Sequence, residues 1–483
     1  MHLLFIVKEI DNEPQGILLI SSILKQAGHQ VSLSVATEED PVEAARRLRP
    51  DVVAYTVYTG THNYYLDLNQ RIRAALPGVY SVFGGPHPTF FPEVVEREGV
   101  DGICIGEGEY ATLDLVNGLR RTERGVELPD PGIANWWLKH EGRIVRNPLR
   151  PLLTGEELDA LPFPDRELLY GAHANSRRTK IKPVITGRGC PYDCSFCFNK
   201  AYSDLYGGGG RRFRRRSPDN VLRELKELTA AHDVRFILFM DDTFILQDTW
   251  LKEFMSRYKA EVGLPFWCQV RANLVTEDKI ALFRDAGCVS VSFGVEAGNE
   301  HLRNVVLNRN MSDEQITEAA AILRRHGIAF MTNNMLGLPT GSLEADFETL
   351  ALNARLCPAY ANVFLFQPYP KTALGELAYR EGWMSGSFDD LSGSVSDDTV
   401  IKFGTEAEKR QIENLQKLFA LGVELPWMVP AIKRLIRLPS GRLFWLAYKL
   451  WKGWAIKRRI FPFRMTPREY LNSALYYMRI KSQ

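Results

Sequence analysis

Apolar and polar positions along this 483-residue chain alternate in blocks. Short runs of consecutive apolar residues, such as Leu3-Leu-Phe-Ile-Val7, precede longer stretches whose apolar side chains return every three or four positions. A short apolar run predicts a strand covered on both faces, and the wider spacing predicts an amphipathic helix. Residues 1–130 therefore read as strand Leu3–Val7, helix Gly16–Ala27, a strand ending at Leu33, helix Val42–Leu48, strand Asp51–Tyr55, helix Leu66–Ala75 and strand Val79–Phe83. Strands alternating with helices imply a parallel, doubly wound sheet with ligands at its C-terminal edge.

The pattern breaks at 131–182, where Leu128-Pro-Asp-Pro-Gly132 and Leu161-Pro-Phe-Pro-Asp165 interrupt any helix or strand. This stretch reads as a connector holding a small hairpin, with Trp136 and Trp137 as packing residues. Alternation resumes over 183–385, with strands expected at Pro183–Gly187, Arg235–Met240, Pro265–Val270, Ser290–Val295, Ala329–Leu336 and Ala361–Gln367. Helices follow at Asp219–Ala231 (capped by Ser217), Asp248–Val262, Thr276–Ala286 and Asp313–His326. Six β/α units suggest a partial (β/α)6 barrel, whose chemistry gathers at the strands' C-terminal ends. Residues 386–483 read as mainly helical and basic, with a loop at Ser385–Asp398 and a helix at Glu406–Leu421. The fold class is α/β throughout, with that helical tail.

Composition changes this picture at three points. With 45% hydrophobic and 24% charged residues, the chain fits a soluble globular protein of several domains, and no apolar run is long enough to cross a bilayer. Seven cysteines, three of them clustered, do not form a disulfide framework and point to a reducing, cytoplasmic compartment. The N-terminus has no cationic lead and is not expected to be a signal peptide. Charge is uneven: Glu424–Gln483 holds 13 Lys and Arg against 2 Glu, a surplus of +11, leaving −9 for the rest.

The clustered cysteines lie in Gly187-Arg-Gly-Cys190-Pro-Tyr-Asp-Cys194-Ser-Phe196-Cys197, spaced C-x3-C-x2-C on the loop after the first barrel strand. Thiolates suit zinc or an iron–sulfur cluster. A structural zinc site needs a fourth ligand, and no C-x2-C or H-x3-H supplies it here. Three cysteines instead leave one iron of a [4Fe–4S] cluster open to a small molecule.

With Phe196 before the third cysteine, this motif resembles the radical S-adenosylmethionine (radical SAM) signature. The resemblance implies that Cys190, Cys194 and Cys197 hold the cluster. Its open iron chelates SAM, which is cleaved to methionine and a 5′-deoxyadenosyl radical by an electron from a donor such as flavodoxin or ferredoxin. Polar residues gather at the barrel strand ends; of these, Asp241, Asp242, Gln269, Arg271 and Glu296, together with Phe196, match the family's SAM contacts. Tyr369 and Thr372 are the expected catalytic, substrate-facing pair.

The N-terminal stretches "PQGILLISSILKQAGHQV", "GGPHPT" and "VDGICIGEGE" resemble the cobalamin-binding domain fused to many such enzymes. The resemblance implies cobalamin held by Pro14, Gly16, Thr56, Gly84, Gly85, His87, Glu107, Gly108 and Glu109. Glycines at 84 and 85 would let backbone approach the ligand, and His87 is a loop residue beside the corrin amides or nucleotide tail. Domains that donate histidine to cobalt carry D-x-H-x-x-G; here Asp11-Asn-Glu13-Pro-Gln-Gly16 puts glutamate in that slot, implying cobalamin without a protein histidine ligand.

Together these resemblances imply a radical SAM C-methyltransferase acting on an unactivated carbon of a small-molecule or lipid-like substrate. An oxidative cyclase of the anaerobic porphyrin-ester type and a phosphorus methylase share the same domains. A cobalamin sensor or carrier would leave the cysteine trio unexplained. The loop Tyr206–Arg216, with five arginines, fits anionic cofactor or substrate groups, or RNA, for which no RNA-binding module is present. Arg442, Lys449, Lys452 and Arg459 share one helical face in a Trp-bearing segment. This segment, within 427–464, either docks on the barrel with its lysines in solvent or makes peripheral contact with an anionic membrane. Cys268, Cys288 and Cys357 are expected to be packing residues.

Overall fold

A computed structural model of the chain describes residues 1–123, 125–207, 212–391, 396, 398–439, 442–463, 465, 466, 469, 470 and 474. The chain forms two compact units: Met1–Thr179 with the described residues of 205–211, and Lys180–Asp204 with the described residues of 212–483.

In the first unit, β1 (His2–Val7) is buried along its whole length. Leu3, Phe5 and Val7 pack into one cluster with Leu18, Leu24 and Leu115, while Leu4 and Ile6 enter another with Tyr65, Leu68 and Ile72. Successive side chains of a strand point to opposite faces, so a continuous apolar run is what a sheet covered by helices on both sides requires. The same logic builds α1 (Gln15–Gln26), β2 (Gln30–Val35), α2 (Pro41–Leu48), β3 (Val52–Thr56), α3 (His62–Ala75), β4 (Tyr80–Gly84), α4 (Pro86–Phe90), β5 (Gly102–Cys104) and α5 (Glu109–Gly118). The first five strands are parallel in the order β2-β1-β3-β4-β5. Order reverses between β1 and β3, which opens a ligand crevice at their C-terminal ends. The stretch read as a connector adds β6 (Trp136–His140) and β7 (Arg143–Arg146), which extend this sheet antiparallel from β5. Buried Trp136 donates its indole N–H to the Ala111 carbonyl at 2.8 Å. Helix α6 (Arg166–Ala172) follows.

The second unit holds six parallel strands in sequential order: β8 (Ile181–Val184), β9 (Phe236–Phe239), β10 (Phe266–Gln269), β11 (Cys288–Glu296), β12 (Ala329–Leu336) and β13 (Tyr360–Leu365). Intervening helices include α7 (Phe198–Leu205), α8 (Pro218–Ala231), α9 (Asp248–Glu261), α10 (Glu277–Asp285), α11 (Asp313–Arg325) and α12 (Leu343–Leu356). Ser217 caps α8, its hydroxyl accepting the Asn220 N–H at 3.2 Å. Helix α13 (Ala373–Arg380) and α14 (Glu406–Glu424) come next; Ile412, Leu415 and Phe419 of α14 pack with Leu336, Val363 and Leu365 of β12 and β13.

Two expectations are corrected here. The arginine loop is built in rather than free: Arg214-Arg215 pairs antiparallel with Gly187-Arg188, and Arg216 bridges to Glu224 at 2.6 Å. Arg215 is buried 4.1 Å from the Trp250 ring centroid and donates to the Phe244 and Leu246 carbonyls. These cations serve the fold; Gly208–Arg211 lie outside the described residues, as does much of the expected loop at Ser385–Asp398. Cys268 and Cys288 are buried, but Cys357 is exposed and ends α12 in a left-handed conformation.

Helices α15 (Val429–Leu435) and α16 (Arg442–Ala455) follow, and a π-helical turn, Ile456–Ile460, continues α16. The lysines of α16 turn inward, where the docking arrangement expected them in solvent. Lys449 is 1% exposed and lies 5.3 Å from the Trp445 ring centroid; Lys452 reaches the Tyr448 hydroxyl at 2.9 Å and the Phe364 ring. Aromatic faces attract ammonium groups and aliphatic stems pack as hydrocarbon, so lysines can line an interior face.

Candidate functional site

The cysteine loop leaves the C-terminal end of β8 and is pinned on every side. Gly189 adopts φ +83°, and a β-carbon there would collide with the Arg212 carbonyl. Arg212 pairs with Asp193 at 2.5 Å. Ser195 donates its N–H to the Leu307 carbonyl (3.1 Å) and its hydroxyl to the Val306 carbonyl (2.6 Å), while its own carbonyl accepts from Leu374 N–H. Asn308 donates to the Asp193 carbonyl at 2.8 Å. The loop is thereby clamped by the segment after a π-helical turn, Leu302–Val306.

Two guanidinium groups converge on Cys194. Arg309 lies 3.6 Å and Arg271 3.9 Å from its sulfur, and Arg271 also donates to the Arg309 carbonyl and covers the Tyr192 ring at 3.8 Å. Arg309 donates to the Gly294 carbonyl at 2.8 Å and sits 3.7 Å from Glu296. The buried Nε of both arginines has no partner. Two cations pressed together with unfilled donors are a receptor for negative charge. Burial and the neighbouring Arg309 lower Arg271, and burial raises Glu296 despite Arg309 and Arg271. Burial also raises the Cys190 thiol and pushes Cys197 up to about 11. Cys190 lies 3.6 Å from the Thr243 hydroxyl.

The other expected SAM contacts divide. Asp242 stays accessible, its carboxyl raised by the surrounding protein, while Asn199 and the Gly189 N–H hydrogen-bond to it. Gln269 is half-buried at the end of β10, and half-buried Phe196 packs with Ala297 and Leu302. Asp241 is corrected: it is buried, with its oxygens accepting the Thr186 hydroxyl (2.8 Å) and N–H (3.2 Å), so it props up the approach to the cysteine loop. Thr372 is corrected too. Its buried hydroxyl donates to the Tyr369 carbonyl (2.5 Å) and accepts the Gly375 N–H (3.1 Å), which makes it the N-cap of α13. Tyr369 is half-buried, its ring 5.3 Å from Phe198. Arg309 escaped the sequence reading; the available signal was Asn308-Arg309-Asn310, because asparagine tolerates the left-handed conformation that both flanking residues adopt at φ 50°.

Among the described residues no three His, Cys, Asp or Glu side chains converge closely enough for a single metal ion. A cube of iron and sulfide takes one thiolate at each of three corners, and the three cysteines of one clamped loop supply them. The cysteine trio with two cations beside it therefore fits a [4Fe–4S] cluster carrying thiolate charge.

In the first unit, the expected cobalamin contacts collect at the C-terminal edge of the sheet. Pro14 and Gly16 open α1, Thr56 and Gly84 end the paired strands β3 and β4, and Gly108 and Glu109 open α5. Space beside Gly16 is open. Gly85, at φ +93°, serves loop packing instead: a β-carbon would meet Val57 N at 3.1 Å. Glu107 accepts the Leu153 N–H at 3.0 Å and so anchors a later segment. His87 belongs to the short helix α4 and not to a loop. It is buried between His62 (4.3 Å, stacked) and Phe91 (4.8 Å), 3.3 Å from the Thr59 hydroxyl. Burial and His62 push it down to about 3, so it is neutral near pH 7. Glu13, in the slot of the histidine ligand, is buried against Arg166 (3.2 Å) and the Tyr170 hydroxyl (2.8 Å). The crevice between β1 and β3, with an open glycine and no ligating histidine in that slot, fits a corrinoid without a protein imidazole there.

Residues 184–351 match the Radical SAM superfamily and residues 1–116 the B12 binding domain. The chain is 27% identical over 373 residues to an uncharacterized methyltransferase of Pyrococcus horikoshii, covering 76% of this chain and 78% of that one. It is 28% identical over 374 residues to the anaerobic magnesium-protoporphyrin IX monomethyl ester cyclase of Rubrivivax gelatinosus, covering 74% and 64%. The solved structure of the cobalamin-dependent S-adenosylmethionine radical enzyme OxsB is similar in fold, with a TM-score of 0.67 at 17% identity over 94% of this chain and 71% of that one. By its two matched domains and the cysteine trio they frame, the chain belongs to the cobalamin-binding radical SAM enzymes, methyltransferase-like in sequence, with a [4Fe–4S] cluster, SAM and cobalamin as cofactors.

Proposed function

We propose that this protein methylates an unactivated carbon of a small-molecule or lipid-like substrate. When bound, the cluster and SAM supply a 5′-deoxyadenosyl radical, and cobalamin supplies the methyl group. For each C–H converted to C–CH3, one SAM leaves as 5′-deoxyadenosine and methionine and another as S-adenosylhomocysteine. The observation that carries the reading is the convergence of Arg271 and Arg309 on Cys194, with the buried Nε of both guanidinium groups left without a partner.

Cys190, Cys194 and Cys197 hold the cluster. Arg271, Arg309 and Glu296 meet the charged groups of SAM through hydrogen bonds strengthened by burial, and the accessible Asp242 joins them. Gln269 and Phe196 lie at the same end of the strands and fix its orientation. Tyr369 faces the substrate from the loop after β13. Pro14, Gly16, Thr56, Gly84, Gly108 and Glu109 cradle the corrinoid, and the neutral His87 stays in its aromatic stack. The ordered loops exclude water and hold the reacting groups in place. A reduced flavodoxin or ferredoxin would deliver two electrons for each methyl transferred, one for SAM cleavage and one to return the corrinoid to its methyl-accepting state.

The test is anaerobic reconstitution with iron, sulfide and cobalamin, followed by incubation with methyl-labelled SAM, reductant and a lipid or metabolite extract. Label entering product as methyl, with 5′-deoxyadenosine and S-adenosylhomocysteine formed together, supports the reading. A second reading, oxidative ring closure, draws on the similarity to the cyclase. It predicts 5′-deoxyadenosine without S-adenosylhomocysteine and product without label.

A further inference from the structure

With its lysines turned inward, α16 shows solvent a different face. Leu443 is 78% exposed, Leu446 40%, Leu450 59% and Trp454 41%, with exposed Ala447 among them. At about 100° per residue these five positions fall in a stripe about 100° wide, opposite Tyr448, Lys452 and Ala455. Soluble helices of ordinary kind carry the reverse arrangement, apolar inside and charged outside. Trp427, 76% exposed, and Leu438, 51% exposed, add apolar surface just upstream.

We propose that α16 docks this protein on an anionic lipid surface, lying in the bilayer plane with Leu443, Leu446, Leu450 and Trp454 in the boundary between headgroups and acyl chains. Charge selects this occupant: residues 425–463 carry nine Lys and Arg and no carboxylate. Of these, Arg434, Arg437 and Arg458 are exposed. Cations near an anionic headgroup layer are attracted to it, and tryptophan prefers that boundary to either water or hydrocarbon. Length sets the orientation. A helix of 14 residues is about 21 Å long, short of a hydrocarbon core about 30 Å thick. No described helix is long and apolar enough to cross a membrane. This inference rests on the outward face of α16 and stands whether or not methyl transfer is the reaction.

Full-length protein is sedimented with vesicles of phosphatidylcholine alone and with about a third phosphatidylglycerol, at low and high salt. Wild type is expected to partition onto the anionic vesicles, less at high salt. The L446D/L450D variant is expected to lose this binding about tenfold or more, because two exposed leucines would carry charge into the interface. Its far-ultraviolet circular dichroism and the absorption of its reconstituted cluster report that the second unit still folds, since Leu446 and Leu450 are exposed. No binding to either vesicle, or binding unchanged in L446D/L450D, overturns the proposal. Equal binding to neutral and anionic vesicles overturns the assignment to an anionic surface. A concentration-dependent dimer broken by L446D/L450D, without vesicle binding, would mean the stripe is covered by a second copy and would also overturn it. Because vesicle binding is read without turnover, its failure leaves the methyl-transfer assay standing, and the converse holds.

Discussion

At the scale of single residues, the site is organised by cations around one sulfur. Hydrogen bonds and positive charge at a cluster thiolate favour the reduced, more negative state and raise the reduction potential. Arg309→Met is therefore expected to lower the midpoint potential of the reconstituted cluster by tens of millivolts, on the order of hydrogen-bond tuning elsewhere. Arg309→Lys should fall between, since it keeps the charge but loses the planar fork. An electron paramagnetic resonance redox titration measures both without substrate, and a potential unmoved in Arg309→Met would remove Arg309 from this role. His87 makes a pH prediction. Its folded pKa, about 3, lies below the ordinary 6.5, so the unfolded chain takes up the proton first. Stability is fully present above pH 6.5 and drains away as pH falls toward 3. Between pH 7 and 5 this amounts to about 2 kcal/mol. His87→Phe, which keeps a ring in the stack, should lose that part of the pH dependence in thermal unfolding of the cobalamin-binding unit.

At the scale of elements, Thr372 separates a structural from a chemical role. As the N-cap of α13, Thr372→Ala should cost about 1 kcal/mol, and Thr372→Ser should restore it. Denaturant unfolding measures the cost; a Thr372→Asn enzyme, which keeps a capping oxygen but no hydroxyl, with normal stability but a collapsed turnover rate would return the hydroxyl to the chemistry. Elements were the level most legible beforehand. The apolar runs of β1, β3 and β9 and the capped start of α8 at Ser217 follow from local spacing. What local spacing hides is orientation. In α16 Leu443, Leu446 and Leu450 repeat as regularly as Lys449 and Lys452, and either stripe could face the interior. The aromatic rings of Trp445, Tyr448 and Phe364 decide for the lysines.

At the scale of the whole molecule, the chain is two compact units, each with its own sheet and core. A lesion in one set of ligands should therefore leave the other cofactor in place. Replacing Cys190, Cys194 and Cys197 together with Ala is expected to abolish the cluster's absorption after reconstitution while cobalamin is retained at close to the wild-type ratio. Metal analysis for iron and cobalt on the same sample checks both halves. Loss of cobalt along with iron would show that the units do not hold their cofactors independently.

What the sequence determined by itself is the chemistry whose parts lie close along the chain: three thiols in eight residues, and alternating strands and helices that must stack into parallel sheets. Both follow from local spacing, which survives without knowledge of what packs where. Only the tertiary structure decided which charges meet. Arg309 reaches Cys194 from 115 residues away, Glu13 is taken by Arg166 across 153, and Asp241 is spent on Thr186 across 55. Such pairings depend on how buried polar groups find partners as the chain closes on itself, and that choice is made in space, where sequence distance carries no information.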